Sequence, residues 1–156
     1  MLITSFIYKL VYWWKISYFR LRGVSIGKGV KIYGKIIIKY PRNLRIGDYS
    51  TLNDGVLLNC KGGITIGKHC RISSNAQLLS TGLNIDEFPR THKSESILLE
   101  DNVWLGSSSV VTMGVIIRNN STIGALSLVN KDVETSSFYC GIPAKKIKTI
   151  QVKVNV

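Results

Sequence analysis

Residues 99–134 repeat on a strict period of six, and nothing else in the chain restricts its folding as much. Every sixth residue from Leu99 is a large aliphatic: Leu99, Leu105, Val111, Ile117, Ile123 and Val129. The series that starts four residues later is small or β-branched: Val103, Ser109, Val115, Ser121, Ser127 and Val133. The positions between are mostly Gly, Asn, Asp, Ser and Lys, residues suited to turns and solvated surface. An amphipathic helix repeats every 3.6 residues and a half-buried strand every 2, so neither fits. A parallel β-helix of hexapeptides does, with three short sides to each triangular coil. One aliphatic per side points inward, and coils stack about 4.8 Å apart. Each buried aliphatic contributes about 1.5–3 kcal/mol, but no coil can bury its face without a neighbour.

The same period extends towards the N-terminus. Coils start at Ile26, Ile46, Ile66, Leu99 and Ile117, separated by 20, 20, 33 and 18 residues. The 18 is a bare coil and the 20s carry two-residue corner insertions, such as Lys61-Gly62-Gly63 after Cys60. The 33 carries 15 extra residues, roughly Gly82 to Ser96, GLNIDEFPRTHKSES. A long loop on so economical a scaffold is usually functional or disordered. The expected organisation is an amphipathic helix over 1–22, a β-helix over 23–134 with a loop insertion at 82–96, and a C-terminal extension over 135–156.

Residues 2–21 read as helix, with Ile3, Ile7, Leu10, Trp14 and Leu21 on one stripe broken by Ser17. Cations interrupt the stretch too often for a membrane span. Two roles suit it: capping the open end of the β-helix, or lying in a membrane interface with its flanking cations at the head groups. The net charge is +12, and the ten Lys and Arg of residues 1–45 precede the first acid, Asp48. That end is drawn to anionic surfaces such as phospholipid head groups or charged glycans. No nucleic-acid-binding module is recognisable. Cys60, Cys70 and Cys140 are an odd, sparse set without paired spacing, which argues against disulfides and zinc and for a reducing compartment. No signal-peptide pattern opens the chain, so a cytoplasmic setting is expected.

The segments NVWLG (102–106), IGALSLVNKDV (123–133) and GIPAKKIK (141–148) resemble the C-terminal signature of bacterial hexapeptide-repeat acyltransferases. The resemblance covers about residues 24–148 and points to the sugar and polysaccharide O-acetyltransferases, such as galactoside and maltose acetyltransferases. It implies an all-β fold, a left-handed parallel β-helix of hexapeptide repeats with an N-terminal helix and a short C-terminal extension. It also implies a homotrimer, with acetyl-CoA and a sugar or glycan acceptor meeting in clefts between subunits. No metal is implied, and polysaccharide biosynthesis at the inner face of the membrane is the expected setting. Carried over by position, Trp104, Gly106, Ser107 and Ala125 would line the pantetheine slot. Asn130 and Lys131 would lie near the nucleotide end, and Lys145 or Lys146 would neutralise CoA phosphates. Three departures stand out: IGALS puts Leu126 where Gly is usual, Ile116-Ile117-Arg118 replaces the usual TIG, and Asn130 replaces Thr.

Acetyl transfer from a thioester to a hydroxyl needs a base, an oxyanion donor and aligned reactants. The related enzymes carry their histidine in a T-G-H or T-x-x-H context after the third coil. Here those slots hold Leu83 and Asn84. His92 is the expected replacement, a base of suitable pKa class in the same insertion, with Asp86, Glu87 or Glu95 to orient it. His69, in the turn IGKHC, is a weaker choice. The backbone N–H of Gly106 or Ser107 is the expected oxyanion donor, and Asn53 and Asn84 are expected on the acceptor side. The competing readings are an N-acetyltransferase on an amino sugar and a noncatalytic β-helix that binds a glycan or membrane surface. A γ-type carbonic anhydrase needs three metal-binding histidines, and the chain has two.

Overall fold

The structure, a computed structural model, describes residues 13–151. Ile3, Ile7 and Leu10 of the expected helical stripe lie outside them.

Fifteen short strands stack in parallel as three walls, five coils high. The first wall is Ser25–Ile26, Leu44–Ile46, Ile64–Ile66, Ile97–Leu99 and Ile116–Ile117. The second is Lys31–Ile32, Thr51–Leu52, Arg71–Ile72, Trp104–Leu105 and Thr122–Ile123. The third is Ile37–Lys39, Leu57–Asn59, Gln77–Leu79, Val110–Thr112 and Leu128–Val129. Registers match the six-residue period: Ile46 pairs with Ile66, Ile66 with Leu99 and Leu99 with Ile117. The expected parallel β-helix is therefore the observed fold. Inward aliphatics form one continuous core, with Leu52, Leu58, Ile72, Leu78, Leu105, Ile117 and Ile123 wholly buried.

Three edges join the walls. The first, between first and second walls, stacks Gly29, Tyr49, His69, Asn102, Asn120 and Ser136, all at positive φ. Each non-glycine in that stack donates its N–H to a carbonyl one coil below, as His69 does to Asp48 (2.9 Å). The second edge, between second and third walls, carries Asn53, Ser73, Gly106 and Gly124 with the residues that follow them. The third edge leads from the third wall to the next coil. It holds the corners at 40–43 and 60–63, the insertion, and residues 130–132.

The insertion leaves the third edge as an antiparallel hairpin, Thr81–Leu83 against His92–Ser94. At the C-terminal end, Ser137–Cys140 adds a parallel strand to the second wall, and Lys145–Thr149 pairs antiparallel with it. At the other end, helical residues 13–21 cross the first coil. Their contact face is Ile16 and Phe19, both buried in the core cluster with Val24. Trp14 and Leu21 of the expected stripe point outward with Trp13 and Tyr18, at 65%, 88%, 62% and 53% exposure. The Arg20 guanidinium donates to Ile26 O (2.9 Å), fixing the helix end to the first strand. No helix among the described residues is long and apolar enough to cross a membrane.

The outer faces of the walls differ. Arg45 and Thr65 stand outward on the first wall, and Lys31, Thr51 and Arg71 on the second. The third wall presents one aliphatic per coil outward, Ile37, Leu57, Leu79, Val110 and Leu128, beside Lys39, Asn59, Gln77 and Thr112, so its outer face is mixed.

Candidate functional site

The six-residue period sorts the expected site residues onto two of the three edges. Trp104 stands outward on the second wall, 53% exposed, its indole N–H donating to Ser73 Oγ (3.0 Å). That bond fixes the ring against the second edge, where Gly106, Ser107 and Ala125 follow. Gly106 is buried, and a Cβ there would meet Ala125 N at 2.5 Å and Gly124 C at 2.7 Å. Only glycine permits this approach of the two coils. Ser107 and Ala125 are exposed one coil apart, and Leu126 donates its N–H to Ser107 O (3.0 Å). Asn53 lies lower on the same edge, with its side-chain amide on Ile72 O (3.0 Å). That bond is structural and leaves its carbonyl oxygen to face outward contacts.

One expectation is corrected here. The Gly106 N–H is taken by Ile123 O (2.8 Å) as a rung of the ladder, so it has nothing to offer an oxyanion. The Ser107 N–H has no partner among the described residues and is free to donate on this edge.

His92 and Asn84 belong to the hairpin on the third edge. His92 pairs with Leu83, which with Asn84 is one of the two slots where the resemblance expects a histidine. Directly opposed residues of an antiparallel pair project on the same face, with Cβ atoms about 4.5–5.5 Å apart. The imidazole thus comes out beside the expected slot, from the returning strand. The hairpin is held by Asn84 N–H to Thr91 O (2.9 Å), Thr81 Oγ1 to Lys93 O (3.1 Å) and Ser94 Oγ to Thr81 Oγ1 (2.8 Å). None of the three acids expected to orient His92 does so. Glu95 pairs with Lys93 (2.8 Å), Glu87 accepts from Thr91, and Asp86 makes no contact with the ring among the described residues. His69 is on the first edge, stacked on Tyr49 with centroids 5.2 Å apart and planes at 16°. Its ring completes a corner ladder well away from the hairpin.

Asn130 and Lys131 are exposed on the third edge, two coils beyond the hairpin base. The two cations of GIPAKK differ. Lys146 is ion-paired to Glu134 (2.5 Å), and that hydrogen bond pushes its pKa up. Lys145 is exposed and has no ion pair among the described residues. The three cysteines are free, and Cys60 and Cys70 lie wholly inside the core. Burial pushes their thiols up to about 12 and about 11, so neither is a nucleophile at neutral pH.

Within one chain the second-edge group and the third-edge group are separated by the width of the third wall, on the order of 15–20 Å for its five to six residues. The fold has known counterparts. Residues 97–125 match the family described as hexapeptide repeat of succinyl-transferase. The putative colanic acid biosynthesis acetyltransferase WcaF of Escherichia coli is 33% identical over 140 residues, spanning 90% of this chain and 77% of the relative. The chain belongs to the hexapeptide-repeat acetyltransferases. Another relative in that family, the galactoside O-acetyltransferase of Escherichia coli, is 30% identical over 81% of this chain and 64% of its own. A hexapeptide-repeat-containing acetyltransferase of Vibrio cholerae, solved in complex with acetyl coenzyme A, superposes with a TM-score of 0.80. It is 26% identical, covering 84% of this chain and 74% of its own.

Proposed function

We infer that the protein is an acetyl-CoA-dependent O-acetyltransferase that modifies a sugar hydroxyl, in the building of a polysaccharide at the cytoplasmic face of a membrane. The observation that carries this reading is the opposition of His92 to Leu83 in the hairpin. It supplies a base beside the slot that the rest of the sequence leaves without one.

The working unit is a homotrimer. The row of outward aliphatics on the third wall, Leu57, Leu79, Val110 and Leu128, favours burial against further copies, and the two margins of that wall are the edges that bear the site residues. Around a threefold axis, the second edge of one copy meets the third edge of the next, a head-to-tail contact that closes. The hairpin also exposes Leu83, Ile85 and Phe88, at 46%, 79% and 99%. A neighbour's surface gives these side chains a partner.

In that cleft Trp104, Ser107 and Ala125 flank the pantetheine arm, and Lys145 and Lys131 face phosphates as point charges. His92 takes the proton of the acceptor hydroxyl as its oxygen attacks the thioester carbon. The Ser107 N–H stabilises the oxyanion that forms. The C–S bond then breaks, and the imidazolium returns its proton to the departing CoA sulfur. The exposed Trp13, Trp14 and Tyr18, with Arg20 and Arg22, support the helix resting at a membrane interface while Ile16 and Phe19 cap the coil.

The test is His92→Ala assayed with acetyl-CoA and a panel of sugars. Turnover is expected to fall by about 10²–10⁴-fold with the oligomer intact. Unchanged turnover would remove His92 from the reaction, and acetylation of amino sugars alone would transfer the reading to N-acetylation.

A further inference from the structure

The N-terminal half of the third edge holds two adjoining hollows that the acetyl-transfer reading does not use. The larger, about 320 Å³, is lined by Arg42, Asn43, Arg45, Lys61, Gly62 and Gly63. The smaller, about 280 Å³, shares Arg42 and Asn43 and adds Arg22, Tyr40 and Pro41. Four cations therefore converge on one continuous depression. Among the described residues every ion pair lies at residue 93 or beyond, so no carboxylate neutralises Arg22, Arg42, Arg45 or Lys61. The two acids nearest in sequence are turned elsewhere, Asp48 accepting from Lys28 N–H (2.7 Å) and Asp54 from Lys35 N–H (2.5 Å).

The depression is held open by the backbone. Tyr40, at φ 56, starts the short 3-10 turn Pro41–Asn43, whose Asn43 amide donates to Lys61 O (3.2 Å) one coil on. Gly23, at φ +93, lies under Arg42, and a Cβ there would be 2.7 Å from Arg42 Cγ. The Arg42 stem is thereby seated on the helix–coil junction. Gly62 adjoins the hairpin base, its Cβ position 2.5 Å from Ser80 O and 2.7 Å from Glu95 N. The depression and the base of the His92 hairpin are thus successive features of one edge, one to two coil spacings or about 5–10 Å apart.

We propose that Arg42, Arg45 and Lys61 form a binding site for the phosphate or diphosphate group of a sugar phosphate ester. Two guanidinium forks and an ammonium without acids suit a group with several acceptor oxygens and two or more negative charges. Tyr40, half exposed, adds an aromatic wall for a ring attached to that phosphate. A hexose linked to a phosphate held here reaches towards the hairpin. Assigning the ligand as the acetyl acceptor rests on the reading above. The phosphate site itself does not.

The experiment uses the full chain saturated with CoA, so that the CoA phosphate contacts are already filled. Inorganic pyrophosphate is titrated into the native protein and into R42Q/R45Q/K61Q, with Lys61→Gln alone as a milder variant. Binding is expected in the native protein, to weaken about 10²-fold or more in the triple variant and measurably in Lys61→Gln. CoA affinity and oligomeric state should not change. Phosphatidylglycerol and phosphatidylcholine vesicles form a parallel arm. Retention on the anionic vesicles alone, lost in the triple variant, identifies a lipid-borne phosphate as the source. Pyrophosphate binding without vesicle retention identifies a soluble one. Equal binding of pyrophosphate by native and triple variant, or none by either together with no vesicle retention, overturns the site. Native protein that binds pyrophosphate yet acetylates no sugar keeps the site and sinks the acetyl-transfer reading instead.

Discussion

Leu126 is the residue whose identity conflicts most with its backbone. The second edge places Gly55, Asn75, Ser108 and Leu126 at φ 73, 59, 57 and 58, one above another. The left-handed region costs an ordinary residue about 1–2 kcal/mol, and Leu126 makes little return, being 70% exposed. Replacing it by Gly removes that strain but loosens the unfolded chain by about 0.5–1 kcal/mol. Leu126→Gly is therefore expected to stabilise by up to about 1 kcal/mol, a rise of roughly 2–4 °C in Tm by calorimetry. If Leu126 instead packs against a neighbouring subunit, Tm falls. Cys60 gives a pH dependence with a defined sign. Burial pushes its folded pKa up to about 12, above the ordinary thiol value of about 9. The neutral thiol stabilises the fold fully below that lower value, and its contribution is lost as pH rises towards the upper one. The slope is about 1.4 kcal/mol per pH unit for this one group. Between pH 8 and about 10.5 the native protein should lose more Tm than Cys60→Ala does, since other titrations are common to both.

At the level of elements, the walls were legible in the sequence and the attachments were not. A wall needs one inward aliphatic every six residues, so Leu99, Leu105 and Val111 announce three strands and fix which side faces in. The helix obeys no such rule, because its buried face depends on the coil it meets. Helical spacing drew a stripe through Trp14 and Leu21, while packing selected Ile16 and Phe19. Phe19→Ala is accordingly expected to cost about 3 kcal/mol in denaturant unfolding, and Trp14→Ala close to nothing. The hairpin was also hidden. Thr81–Leu83 and His92–Ser94 are short and polar, with eight residues between them, and their sequences carry no alternation that fixes a register. His92 was visible as the only imidazole in the insertion, but its position opposite Leu83 comes from the pairing alone. The hydrogen bond from Gly106 to Ile123 was likewise beyond sequence reading, since either of two neighbouring N–H groups satisfied the motif.

At the level of the whole molecule, the period that builds the core also decides where chemistry can occur. A residue's place in the count of six assigns it to a wall or an edge, which is how Ser107 and Ala125 come to one margin of the third wall and His92 and Lys131 to the other. Charge divides in the other direction, along the stacking axis, between the basic N-terminal end and a nearly balanced remainder. The parting of the two margins has a genetic corollary. An allele lacking the imidazole and an allele with a blocked donor slot, His92→Ala and Ala125→Trp, should each be inactive when expressed alone. Expressed together, they should mix at random, and about a quarter of the junctions would then unite one intact margin from each parent. Recovered acetylation in such mosaics, measured against either parent, would show that each catalytic pocket is the joint property of two polypeptides.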